Sequence, residues 1–86
     1  MKFQGALIKE QGIQFGIAVV KKHVLDNRAE AGRVSMGFRS VFGAIPVVLM
    51  AQDVRGRPTY FGRPDIVRFL SNTPVSAIPW REYTIS

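Results

Sequence analysis

The chain has no cysteine, a single histidine, and six acidic residues against twelve lysines and arginines in 86 residues. Without cysteine there is no disulfide framework, no thiol redox chemistry and no thiolate metal site. One histidine, His23, with Asp26 as its nearest carboxylate in the chain, does not make a tetrahedral zinc site. The carboxylates fall at 10, 26, 30, 53, 65 and 82, so no close-spaced pair offers acid/base chemistry. Neither a P-loop nor a G-x-G-x-x-G turn is present. The inventory therefore points away from catalysis and toward binding, with no cofactor and no metal.

Length and hydropathy bound the rest. The chain is one domain over residues 1–86. At 47% hydrophobic and 21% charged residues it is too apolar and too weakly charged for disorder. Its longest apolar run, Gly43 to Ala51, falls far short of the ~20 residues that cross a bilayer. The opening Met1-Lys2-Phe3-Gln4 does not begin a signal peptide, since Gln4, Lys9 and Glu10 interrupt any apolar core. These features place it in the cytoplasm, off the membrane. A net charge of +6 favours an anionic partner, nucleic acid or an acidic protein, although the same excess also serves solubility alone.

Periodicity gives the order of elements. Residues 2–9 and 13–20 form a hairpin, the second half alternating Ile13, Phe15, Ile17 and Val19 against Gln14, Gly16 and Ala18. A three-residue loop, Glu10-Gln11-Gly12, sets Leu7 opposite Phe15 and Phe3 opposite Val19, and is favoured over a two-residue loop that faces Leu7 with Gly16. Asn27 and Glu30 have the spacing of a helix capping box. Behind it, Ala31, Val34, Phe38, Val41 and Phe42 make an apolar stripe ending at Gly43. Gly32 and Gly37 cost this helix stability or permit close approach to the sheet. Residues 45–51 read as a strand buried on both faces, Asp53 to Gly56 as a turn, Pro58 to Phe61 as an edge strand, and Pro64 onward as a second helix with Asp65 in its first turn. The tail from Val75, with Trp80 and Tyr83, packs back on the domain.

The fold class is α+β: ββαββα, a four-stranded mixed sheet with two helices mainly on one face. A strand apolar on both sides then needs a second cover, the tail or another subunit, so self-association as a homodimer is expected.

Ile45-Pro46-Val47-Val48, Gly56, Tyr60-Phe61-Gly62, Asp65-Ile66 and Phe69-Leu70 together resemble the closing half of thioredoxin-like folds, glutaredoxins in particular. The likeness covers about a third of the chain. It implies a cis proline at Pro46 beside a site, and a redox-inactive relative, because the two family cysteines are absent.

Arg55, Arg57, Arg63 and Arg68, with Tyr60 and Phe61 among them, are the densest cationic feature. Guanidinium groups interleaved with aromatics beside a helix start hold phosphates or bases. The alternative is a solvated face with local pairing to Asp53 or Asp65. The anion-binding or nucleic-acid-binding candidates are thus Arg55, Arg57, Arg63, Arg68 and Tyr60. A small enzyme with a polar site around His23 and Asp53 is the competing reading.

Overall fold

The computed structural model describes residues 2–10 and 12–84. In chain order the elements are β1 (Lys2–Glu10), β2 (Ile13–Val19), α1 (Lys22–Leu25), α2 (Arg28–Phe42), β3 (Val47–Gln52), β4 (Pro58–Phe61), α3 (Pro64–Ser71) and β5 (Arg81–Thr84), with a 3-10 turn at Val75–Ala77. The mixed α+β class expected from the sequence holds, but the sheet has five strands, ordered β4-β3-β2-β1-β5. The added strand is the tail: Arg81 to Gly5 through Thr84 to Lys2, it pairs antiparallel with β1. β2 and β3 are parallel, joined through the helices, and β4 is an edge strand as Pro58 requires.

The helices lie on opposite faces of this sheet, not together on one. In β3, Val47 and Leu49 face α2, meeting Ala31 and Phe38. Val48 and Met50 face α3, meeting Ile66 and Leu70. The period of two in a strand makes this division automatic once each face has its own helix. Ile78 and Trp80 complete the α3 side. The face that was expected to need a second subunit is therefore covered by α3 and residues 75–80, and self-association loses that support.

The hairpin register also differs from expectation. Glu10 pairs with Ile13 and Leu7 with Gly16, so the loop has two residues, Gln11 lying outside the described residues. The three-residue loop matched large groups on one face, which suits a sheet covered on one side only. With both faces covered, Ala6, Ile8, Phe15 and Ile17 go to the α3 side. Gly16 then lies beneath α2, where the Phe42 ring takes its place: a Cβ on Gly16 would stand 2.7 Å from that ring. The close approach comes from Gly16 in the strand. Gly32 and Gly37 in the helix have nothing within 4 Å of a built Cβ.

The capping expectation is met: Asn27 Oδ1 accepts from the Glu30 N–H at 3.1 Å. All five residues of the expected stripe on α2 pack into the core of its face. Among the described residues no helix is long and apolar enough to cross a membrane.

Candidate functional site

Strand β4 runs between the arginines singled out by sequence. Arg55 and Arg57 precede β4 and Arg63 follows it, so four residues of strand, about 13 Å at 3.3 Å per residue, separate the two groups. Arg57 is held locally, its Nε donating to Asp53 Oδ2 at 3.1 Å. Asp53 Oδ1 accepts the backbone N–H groups of Arg55 and Arg57 at 2.8 and 2.9 Å. These bonds, the Arg57 amide first, hold the Asp53 carboxyl below its ordinary value. Arg63 grips Asp65 with two bonds, 3.1 Å from Nε and 2.7 Å from Nη2, which lowers the Asp65 carboxyl in turn. Arg55 and Arg68 carry no ion pair among the described residues. Tyr60 turns toward α3 and packs on that core, its hydroxyl buried with no hydrogen-bond partner among the described residues; burial pushes the phenol above its ordinary value.

His23 and Asp53 are engaged in different places. Asp53 is committed to its own turn, while His23 lines a groove that Asp53 does not. Among the described residues no group of three or more His, Asp or Glu side chains gathers to hold a metal.

That groove is the site the structure builds. The β1–β2 ladder runs from Glu10–Ile13 to Gly5–Ala18 and stops. β1 continues to Lys2 paired with β5, and β2 continues beside β3, the Val20 N–H donating to Met50 O at 2.8 Å. The sheet forks between them. Two sequence features set the fork. Gly5 sits where the strands part, and a Cβ there would come 2.5 Å from the Ile17 carbonyl oxygen, so the backbones approach as only glycine permits. Extending the register past Gly5–Ala18 would also set Lys2 directly opposite Lys21, and like charges in opposed positions disfavour pairing.

The fork opens a groove of about 580 Å³ lined by Lys2 and Phe3 on one side, by Val19, Val20, Lys21, His23 and Val24 on the other, and floored by Val34 and Phe38 of α2. Its floor is fixed by aromatic packing. Phe3 lies 4.6 Å from Phe38 and stacks on Tyr83 at 5.5 Å, with Phe42 completing the cluster. Phe3 and Phe38 are buried, while Lys2, Lys21 and His23 are exposed on the rim. The pairing of Lys2 with Glu82, at 3.6 Å with both side chains largely exposed, is a weak contact. An apolar floor under a rim that carries two lysines is chemically suited to a group that is both apolar and acidic.

Sequence reasoning weighed His23 only as a metal ligand or as part of a polar site with Asp53, and did not join it to Lys2, Phe3 and Lys21. The signals were an interior strand glycine and the charge clash in the two-residue register.

Residues 45–70, on which the sequence resemblance to thioredoxin-like folds was drawn, span β3, a turn, β4 and most of α3. No peptide bond among the described residues is cis. Comparison with protein-family models, curated proteins and solved structures returns no match.

Proposed function

We propose that this chain is a small, non-enzymatic binding module of the cytoplasm whose partner is an acidic protein, engaged at the end of the sheet where β1 and β2 part. One observation carries the reading: the groove there combines an apolar floor with a rim of Lys2, Lys21 and His23. The dispersal of the arginines adds to it. Arg57 and Arg63 have their charge met by Asp53 and Asp65, and the Tyr60 ring is turned into the core rather than out for base stacking. A nucleic-acid site needs cations and open aromatic faces together. A protein segment needs an apolar seat and complementary charge.

The test is a titration of the labelled protein, followed by backbone chemical shifts, with a dodecamer of glutamate and separately with a twelve-nucleotide single-stranded DNA. The acidic peptide should shift residues 2–4 and 19–24, weaken as salt rises, and lose most of its affinity to the Lys21→Glu protein. Stronger binding of the DNA, centred on Arg55 and Arg68, would replace this reading with the nucleic-acid one. Absence of any shift at low salt would end it.

A further inference from the structure

Resting on that reading, the shape of the fork specifies how the partner is held. We infer that the groove is a slot for one short segment of the partner, carrying a single bulky apolar side chain with a carboxylate on each side.

Three features of the slot lead there. One wall is the end of strand β1 at Lys2 and Phe3; the other is Val19 to Lys21 leaving β2, continued by the short helix α1 with His23 and Val24. The two walls diverge from an ordinary strand spacing of about 4.8 Å. The floor offers one apolar seat, bounded by Phe3, Val20, Val24, Val34 and Phe38. The groove, about 580 Å³, is open to solvent, so an anchor seats against its floor while the rest of the segment stays hydrated.

Charge is arranged around that seat on both walls. Lys2 stands on the β1 side and Lys21 on the β2 side. An apolar anchor flanked by carboxylates meets a cation in either direction from the seat, whereas a carboxylate at the anchor position itself would lose its hydration against the two phenylalanines. The Lys2–Glu82 contact is exposed on both sides, so an incoming carboxylate displaces little. A second copy of this chain is the poorer occupant, because two molecules each carrying +6 repel.

The experiment uses three acetylated, amidated pentapeptides: Glu-Glu-Leu-Glu-Glu, the same with alanine for leucine, and Gln-Gln-Leu-Gln-Gln. Binding is followed by backbone and methyl shifts of the intact chain. The leucine peptide should perturb the methyl groups of Val20, Val24 and Val34, and both the alanine and the glutamine peptides should bind about tenfold more weakly or worse, each having lost one half of the recognition. Val34→Phe, which fills the seat, should abolish leucine-peptide binding at unchanged melting temperature; Val24→Phe serves if the first variant melts early. If the alanine peptide binds as well as the leucine peptide at the basic end, the slot is overturned while the acidic-partner reading stands. If no acidic peptide binds, both fall. If the glutamine peptide binds as tightly as the leucine peptide, the charged rim has no part and the slot as described is wrong.

Discussion

The strands of the β1–β2 hairpin and helix α2 each carry a pair of glycines, and the two pairs have opposite meanings. In the hairpin, Gly5 and Gly16 are demanded by what lies against them: the Ile17 carbonyl at 2.5 Å and the Phe42 ring at 2.7 Å from a built Cβ. In the helix, Gly32 and Gly37 face open space and weaken the element that holds them. The same residue is a packing device in the sheet and a propensity loss in the helix. The difference also marks where the site is. Gly5 stands where β1 leaves β2, and the groove begins there.

Substitution at Gly5 should break this contrast most severely. Alanine there pushes against main chain of β2, which pairs on both sides and cannot retreat. Gly5→Ala should cost about 3 kcal/mol, at the upper end of overpacking penalties, read as the shift in urea midpoint. Gly16→Ala meets a ring that can swing aside, and should cost less, about 1–2 kcal/mol. A Gly5 variant within experimental error of the native chain would show that the fork does not depend on that close approach.

The opposite pair sharpens the comparison with a change of sign. Gly32→Ala with Gly37→Ala should stabilise the protein by up to about 2 kcal/mol, since each glycine costs roughly 1 kcal/mol relative to alanine in a helix interior. The structure gives no packing reason for either glycine. A double variant that melts earlier than the native chain would mean that the outer side of α2 is constrained by something other than its own fold.

Legibility in the sequence follows the same division between local and relational features. The capping Asn27, the stripe from Ala31 to Phe42, Pro58 on an edge and Pro64 at a helix start were all readable, because each depends on its own neighbours in the chain. The register was not, because it turned on whether one face or both would be covered, and that was decided by α3 crossing to the far side. The fifth strand was missed for a related reason. Arg81 to Thr84 is short and mostly exposed, and only its pairing with β1 makes it a strand. The groove inherits both misses, since it exists only where the two-residue register fails and β5 draws β1 away. The arginines were legible as a cluster in the chain, but the local pairing of Arg57 with Asp53 and of Arg63 with Asp65 was only one of the alternatives it offered.

Tyr60 offers a smaller effect on the covered side of the sheet. Its hydroxyl is buried without a partner, and burial raises the phenol above its ordinary 10.0. Tyr60→Phe removes the unpaired group and keeps the ring, so it should stabilise by about 1 kcal/mol, the scale of a buried unsatisfied hydroxyl. The sign at alkaline pH follows. A phenol raised in the folded state ionises first in the unfolded chain, so native stability falls above pH 10 and the phenylalanine variant should lose less of it. Urea midpoints at pH 7 and pH 10.5 test both halves. A destabilised variant at pH 7 would mean the hydroxyl has a partner after all.

The smallest effect belongs to the turn between β3 and β4. Asp53 accepts three hydrogen bonds and its carboxyl is held below its ordinary 3.8. A depressed carboxyl stabilises the fold above its unfolded value and gives that stability up as pH falls through the folded one, so the loss lies below about pH 4. Asp53→Asn keeps an oxygen for the Arg55 and Arg57 amides and discards the charge that Arg57 meets. The variant should therefore melt slightly earlier than the native chain at pH 6, and the gap should close as pH drops below 4. Asp65 titrates in the same range, but it does so in both proteins and cancels in the difference. A gap that stays constant down to pH 2 would place the stabilisation in the shape of the turn and not in its charge. The Arg57 guanidinium would then be as free for an anionic partner as Arg55 beside it.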